Sequence, residues 1–177
     1  MNHRRPWYLR VYTLLAVPIL VACILVQQVF FGDLLRPKPT GETLLASFET
    51  ERSGFAQLAA MMREDQSLGG IGRSWTSPSP ASATGLDRAR LREYRRLMRQ
   101  AGVESIQRSP ELANDVPLTF QVYGKGTLGA QYGYLYTQGE VYDRLVENLA
   151  DLDYFTGVRR LLYRIDDNWY IYYRKAG

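Results

Sequence analysis

The chain has 177 residues, a formal net charge of +4, one histidine and one cysteine. These two residues are His3 and Cys23, so the sequence after residue 31 contains neither type. A Ser-His-Asp or Cys-His nucleophile, a Cys/His zinc site and an internal disulfide therefore cannot form in that part of the chain. These exclusions remove more functional classes than any motif supports, and we expect no metal ion and no cofactor.

An uncharged apolar run of 21 residues, Val11 to Phe31, follows an opening segment that contains three arginines and no acid. As a helix rising about 1.5 Å per residue, this run would cover roughly the 30 Å hydrocarbon core of a bilayer. The positive charges before it favour a cytoplasmic N-terminus by the positive-inside rule. The predicted organisation is a cytoplasmic segment 1–10, a transmembrane signal anchor 11–31, a spacer 32–42 and an exported domain 43–177.

A second interpretation concerns the only cysteine. The sequence Leu20-Val21-Ala22-Cys23 resembles the lipobox of bacterial lipoproteins, in which the cysteine is lipidated and becomes the first residue. Cys23 is then a lipidation candidate, and the protein is a lipid-anchored lipoprotein. Against this interpretation, the apolar residues 24–31 would open the mature protein, and leaving them in water is unfavourable. Both interpretations export the same domain.

The positive charge of the chain belongs mainly to its opening segment. Three of the 22 basic residues precede the apolar run and all 18 acidic residues follow it, which leaves 19 basic residues and a balance of +1 beyond the run. A nearly neutral domain gives no electrostatic indication of DNA or RNA binding. We expect one exported domain without a nucleic-acid partner.

Apolar residues recur at helical spacing from about Thr43 to Arg63 and predict a first core helix. Thr40 and Glu42 are typical of a helix start. Arg52 lies within the apolar stripe, so it is a candidate for a buried charge that needs a partner. An ion-paired structural arginine and a ligand-binding arginine are the two interpretations.

The next stretch, 76–85, is rich in Ser, Pro and Ala and predicts a flexible surface loop. A second helix is predicted from about Leu86 to Ala101, with Gly102 placed to end it. Like charges at i,i+4 on its polar face repel each other. The compensation is either internal ion pairs on a solvated face, or a partner protein or anionic phospholipid. The candidate binding residues on this face are Arg88, Arg92, Arg95, Arg96 and Arg99.

The C-terminal third shows the period-two alternation that is typical of strands. Strands are predicted near 103–107, 118–123, 130–136, 160–165 and 169–174, the last two forming a hairpin across Asp166-Asp167-Asn168. A helical turn is predicted around 143–152. The predicted fold class is α+β, with an N-terminal transmembrane helix and then two helices packed on one face of an antiparallel sheet of about five strands.

Ten of the 13 tyrosines fall between Tyr123 and Tyr173. Cross-strand aromatic pairs stabilise antiparallel sheets by roughly 0.2–1 kcal/mol each, which favours a structural role. If one face of the sheet is left uncovered, the same side chains form a recognition surface, since tyrosine is enriched at binding hot spots. The candidates for that surface are Tyr132, Tyr134, Tyr136, Tyr170 and Tyr172.

Three features resemble those of small envelope proteins of Gram-negative bacteria, either signal-anchored or lipoprotein-like. They are the N-terminal anchor or lipobox, a Phe48-x6-Phe55 helix carrying Glu51-Arg52, and the ending Tyr163-x-Ile165-Asp-Asp-Asn-Trp169-Tyr170-Ile-Tyr172-Tyr173. The resemblance implies a single-pass protein of the bacterial inner membrane with a periplasmic α+β domain. It implies no activity and no catalytic residue.

The common catalytic systems are excluded, and the chain has a tyrosine face and an arginine face. Together these features predict a membrane-tethered, non-catalytic binding or accessory protein of the cell envelope. An immunity or inhibitor protein is one form, with another envelope protein as the partner. One alternative is an envelope hydrolase that uses two carboxylates about 5–9.5 Å apart in a cleft. Another is a module that binds anionic lipid or surfaces through the arginine-rich helix.

Overall fold

The computed structural model describes residues 37–109, 116–124, 130–141, 143–154 and 160–175. The chain divides into two compact units, residues 1–38 and 39–177, and nearly all described residues belong to the second. The predicted anchor 11–31 and the lipidation candidate Cys23 lie outside the described residues. Within the described part of the chain, no helix is long and apolar enough to cross a membrane.

Two consecutive helices stand where one was predicted. Helix α1 spans Gly41–Thr50 and helix α2 spans Arg52–Glu64. At Glu51, between them, the backbone has φ −108° and ψ 20°, outside helical geometry. The hydroxyls of Ser47 and Thr50 donate to carbonyl oxygens one turn back, at 2.7 and 2.9 Å, and such bonds bend helices. The helical periodicity continues across this bend, so the sequence pattern did not reveal it.

Helix α3 spans Arg88–Gln100, close to the predicted 86–101. Asp87 caps its N-terminus, because its Oδ1 accepts a hydrogen bond from the Arg90 amide at 2.6 Å. Gly102 follows the helix with φ 67°, a left-handed conformation that glycine adopts without strain. The predicted start of α1 is also confirmed, since the Thr40 hydroxyl accepts from the Thr43 amide at 3.2 Å.

Within the described residues, eight strands form a single mixed sheet. They are β1 (Gly70–Gly72), β2 (Thr76–Ser77), β3 (Ser105–Arg108), β4 (Leu118–Gly124), β5 (Ala130–Tyr136), β6 (Arg144–Val146), β7 (Arg160–Arg164) and β8 (Trp169–Lys175). Their order is β2-β1-β3-β4-β5-β8-β7-β6. Neighbouring strands are antiparallel except for the parallel pair β6–β7.

The five predicted strands are confirmed as β3, β4, β5, β7 and β8, but the predicted number and the purely antiparallel sheet are wrong. Strands β1, β2 and β6 are only three, two and three residues long, too short for a period-two pattern. Strand β6 lies where a helical turn was predicted, and the short helix α4 is confined to Asp151–Tyr154. The stretch 76–85 contains β2 and a 3₁₀ turn, Ala81–Thr84.

Helices α1, α2 and α3 cover one face of the sheet, which we call the inner face. The centre of the core is an aromatic cluster of Phe48, Phe55, Phe120, Tyr134 and Trp169. Ring centroids lie 5.2 Å apart for Phe48 and Phe55, and 4.6 Å apart for Phe55 and Tyr134. Such pairs stabilise by about 0.5–1.5 kcal/mol beyond their area burial. The prediction of helices on one face of a sheet in an α+β domain is confirmed.

Asp166 ties the β7–β8 hairpin to the helices. Its Oδ1 accepts hydrogen bonds from the Asn168 and Trp169 amides, each at 3.1 Å. Its Oδ2 accepts from Arg52 Nη1 at 2.7 Å, and the Arg52 guanidinium lies 5.0 Å from the Phe48 ring centroid. The Arg52 side chain is 54% exposed, so the prediction of a buried charge is wrong. Arg52 follows the bend at Glu51, which takes it out of the apolar stripe and leaves it ion-paired.

Gly133 in β5 lies at a close approach between two backbones. A Cβ atom at this position would overlap the carbonyl oxygen of Phe120 in β4. We expect Gly133→Ala to lower the free energy of unfolding by about 1–3 kcal/mol, because backbone must move to make room. Thermal unfolding of the full chain in a non-ionic detergent measures this change.

Gly54 in α2 provides the matched control. A Cβ atom there would meet only Glu51 Oε2, at 3.7 Å, an ordinary contact. We expect Gly54→Ala to leave stability unchanged or to raise it by up to about 1 kcal/mol, since alanine favours a helix. Equal stabilities of the two variants would contradict the close approach at Gly133.

Candidate functional site

The face of the sheet opposite to the helices, which we call the outer face, carries polar side chains in rows set by the strand register. In one row, Arg160 of β7 lies opposite Arg174 of β8, and Arg174 lies opposite Gln131 of β5. The register therefore brings together two arginines and an amide that are far apart in the sequence. Two like charges directly opposite each other in an antiparallel pair are destabilising unless they are compensated.

In the next row, Tyr172 of β8 lies opposite Gly133, and Gly133 lies opposite Gln121 of β4. The Tyr172 ring packs over Gly133, since a Cβ atom at residue 133 would come within 3.0 Å of Tyr172 Cε1. A cavity of about 260 Å³ lies on this part of the outer face. It is lined by Ser105, Gln107, Arg108, Ser109, Thr119, Gln121, Gln131, Arg160, Tyr172 and Arg174.

The charges of this cavity are unequally compensated. Arg160 Nη1 lies 3.3 Å from Asp143 Oδ2 and forms an ion pair with it. The Arg108 guanidinium donates to two backbone carbonyls, those of Leu68 at 2.9 Å and Asp65 at 3.3 Å. Arg174 is exposed, and the described residues give it no acidic partner. Arg108 and Arg174 therefore both bring positive charge that no acid of the described residues compensates, and of these two Arg174 is the exposed one.

The Tyr172 hydroxyl is a buried donor in the wall of the cavity. The residue is 1% exposed, and its hydroxyl has no hydrogen-bond partner in the described part of the chain. Burial raises the pKa of Tyr172, an effect that the Arg160 and Arg174 charges oppose and the Glu104 charge reinforces. The hydroxyl therefore keeps its proton well above neutral pH. Leaving such a group unpaired is unfavourable.

Three of the tyrosines predicted for a recognition surface lie on the inner face instead. Tyr132 is 3% exposed and Tyr134 is 0% exposed. The Tyr134 hydroxyl donates to the Leu44 carbonyl at 2.7 Å, and the Tyr136 ring lies 4.9 Å from the ring of Trp169. These three side chains have the structural role that the sequence interpretation gave as its alternative.

The other two tyrosines lie on the outer face. Tyr170 is 7% exposed and belongs, with Tyr172, to a small apolar cluster that also contains Leu135 and Leu162. Within this pair, only Tyr172 lines the cavity. Of the five tyrosine candidates, Tyr172 is thus the one that the structure brings to a site.

The arginines of α3 lie away from the outer-face cavity. Arg96 is bound to Glu93 at 2.6 Å, and Arg95 Nε lies 3.5 Å from the Gly72 carbonyl oxygen. The other three candidates are exposed and have no acidic partner among the described residues: Arg88, Arg92 and Arg99. Internal ion pairs therefore compensate only part of the repulsion. Arg95 and Arg99 line a second cavity of about 400 Å³, together with Arg73, Met98, Gly102 and Val103.

A third polar cluster is fully engaged in structural bonds. Asp65 Oδ2 accepts hydrogen bonds from the Tyr94 hydroxyl and from Arg90 Nε, each at 2.8 Å. Arg90 Nη2 also donates to Glu64 Oε2 at 2.8 Å. Burial, followed by the hydrogen bond to Asp65, raises the pKa of Tyr94. This cluster joins the end of α2 to α3, and its donors and acceptors satisfy one another.

Sequence reasoning missed Arg160, Arg174, Gln121 and Gln131 as site residues. Gln121 and Gln131 lie between apolar or aromatic neighbours, whereas Arg160 and Arg174 each have one such neighbour on their strands, Leu161 and Tyr173. These positions mark the four residues as facing away from the core. The alternation contained this signal, but the row that joins Arg160, Arg174 and Gln131 depends on the strand order. Strand order is not readable from alternation alone.

Comparison of the chain with protein-family models, curated proteins and solved structures finds no match. Among the described residues, no group of three or more His, Cys, Asp or Glu side chains is placed to hold a metal ion. The function is therefore inferred from the chemistry of the outer face.

Replacing two buried tyrosines by phenylalanine tests the unpaired state of the Tyr172 hydroxyl. We expect Tyr172→Phe to leave the free energy of unfolding unchanged or to raise it, since it removes an unpaired buried group. Tyr134→Phe should lower it by about 0.5–1.5 kcal/mol, because the bond to Leu44 is lost. Chemical unfolding of both variants measures the difference, and a larger loss at Tyr172 would show that its hydroxyl has a partner.

Proposed function

We propose that the protein is a non-catalytic binding protein of the cell envelope, tethered to the membrane by its N-terminal apolar run. We further propose that the outer face of the sheet is its binding surface. The observation that carries this proposal is the buried, unpaired hydroxyl of Tyr172 in the wall of a polar cavity. A phenylalanine would pack in the same space without the unfavourable burial of a donor, so the hydroxyl is best explained by a bound group.

The cavity is suited to binding more than to chemistry. Its lining offers hydroxyls, amides and guanidiniums, and it contains no carboxylate and no histidine. A hydrolase of the two-carboxylate kind needs an acid and a base or nucleophile facing each other. Neither this cavity, nor the one beside Arg95 and Arg99, nor one between α1 and the end of α3 is lined by two carboxylates. The hydrolase alternative therefore has no support from these cavities.

The volume of the cavity limits the size of the group that it can bind. At about 260 Å³, it lies just below the range of roughly 300–1,000 Å³ that is common for small-molecule sites. A single functional group, or one side chain of a partner protein, fits this volume. An immunity or inhibitor protein that receives a side chain of its target on the outer face is one form of the proposal.

A second candidate function is binding of anionic lipid or surfaces through α3. It is favoured by the exposed side chains of Arg88, Arg92 and Arg99, which have no acidic partner in the described residues. A domain held near a membrane would meet anionic head groups, and each basic residue near such a surface contributes about 1 kcal/mol.

Site-specific photo-crosslinking in intact cells separates the two candidates. A photoreactive residue replaces Gln107, which is exposed and lines the outer-face cavity, or Gln57, an exposed glutamine of α2. A third position, Arg92, reports on α3. We expect a specific crosslinked product from position 107 and none from position 57. Crosslinks to lipid from position 92 alone would favour the second candidate and contradict the first.

The nature of the tether is tested by the intact mass of the protein extracted from membranes, with and without Cys23→Ser. For a signal anchor, we expect the full-length mass in both proteins and unchanged membrane association. A lipoprotein would instead lose 22 residues and gain lipid at Cys23. Its Cys23→Ser variant would keep the unprocessed mass.

A further inference from the structure

The outer-face cavity is rich in donors, and of its three arginines only Arg160 has an acidic partner among the described residues. We infer that it binds an oxyanion, a phosphoryl or carboxylate group, through the Arg174 guanidinium and the Tyr172 hydroxyl. This inference rests on the proposed function, since it names the chemical class of the group that the outer face receives.

Two arginines lie in the row that joins β7, β8 and β5. Arg160 and Arg174 lie directly opposite each other, an arrangement that is unfavourable for two like charges. Asp143 compensates Arg160 at 3.3 Å, whereas Arg174 has no acidic partner in the described residues. An oxyanion at Arg174 would relieve the remaining repulsion.

Further hydrogen-bond donors lie around Arg174 in the sheet. Gln131 lies opposite Arg174 on β5, and Tyr172 precedes it by two residues on the same face of β8. A guanidinium offers several N–H donors and no acceptor, and a protonated phenol offers one donor. Hydrogen bonds from a charged donor to an oxyanion are roughly twice as strong as bonds between neutral groups. A group with several acceptor oxygens matches this set better than a neutral hydroxyl does.

The nearby acidic side chains do not cancel the preference of the cavity for an oxyanion. Asp143 forms an ion pair with Arg160. Glu104, whose charge raises the pKa of Tyr172, forms an ion pair with Arg73 at 4.0 Å. Neither acid belongs to the lining of the cavity. A phosphoryl and a carboxylate group share the required chemistry, so the probes must separate them.

Calorimetric titration of the full chain in a non-ionic detergent is the test. The probes are inorganic phosphate, acetate and, as a neutral control, glucose, at constant ionic strength maintained with chloride. We expect saturable binding of phosphate or acetate and none of glucose. Tighter binding of phosphate assigns a phosphoryl group as the natural ligand chemistry, and tighter binding of acetate assigns a carboxylate.

Two variants and one control locate the binding. Arg174→Gln should weaken binding at least about tenfold, because it removes the charged donor. Tyr172→Phe should weaken it several-fold without loss of stability. Arg63→Gln removes the same charge from an exposed position of α2 and should bind as the unaltered protein does. Equal losses in Arg174→Gln and Arg63→Gln would overturn the assigned site, since only a general effect of charge would then remain.

Failure of this inference is distinguishable from failure of the proposed function. If no oxyanion binds at millimolar concentrations while position 107 still gives a specific crosslink, the oxyanion class is wrong and the binding surface stands. If glucose binds and Tyr172→Phe weakens that binding, the cavity is a site for a neutral ligand. If oxyanions bind but position 107 gives no crosslink, the assignment of a macromolecular partner fails and the anion site stands.

Discussion

The packing of Phe48 and Phe55 against the sheet is the interaction on which the rest of the domain depends. These two fully buried rings lie on either side of the helix bend, 5.2 Å apart, and both contact Tyr134 and Trp169. They fix α1 and α2 on the inner face, and the bond between Arg52 and Asp166 secures the β7–β8 hairpin at the same place. Because the helices occupy the inner face, the rows of polar side chains lie on the outer face. We propose that the two faces of the sheet have separate roles, one in stability and one in binding.

Gly133 connects these two roles. Its missing side chain leaves room for the Phe120 carbonyl of β4, which approaches β5 closely, and for the Tyr172 ring. Tyr172 then belongs to the apolar cluster of the outer face and, together with Arg174, lines the cavity. A buried donor and an uncompensated arginine both lower stability in the absence of a ligand. Proteins commonly tolerate such local losses where a site requires them.

The sequence predicted the parts of the fold that have long, regular patterns. The arginine-rich helix, the five longer strands and the hairpin at Asp166 followed from periodicity and turn residues. The bend at Glu51 depends on side-chain bonds to the backbone, and β1, β2 and β6 are too short to have a period, so these features were missed. Tyr172 was predicted as a binding residue because of its residue type. Arg160, Arg174 and Gln131 were not predicted as binding residues. Their proximity comes from the order of β5, β8 and β7 in the sheet, which no local pattern encodes.

Assignment of the outer face as the binding surface is tested most directly by nuclear magnetic resonance of the full chain in detergent micelles during a phosphate titration. The backbone amide resonances of Gln131 and Arg174 should shift saturably, because both residues line the cavity, while those of Leu91 and Leu97 on α3 should not move. Shifts confined to α3, or shifts spread evenly over both faces, would contradict the assignment.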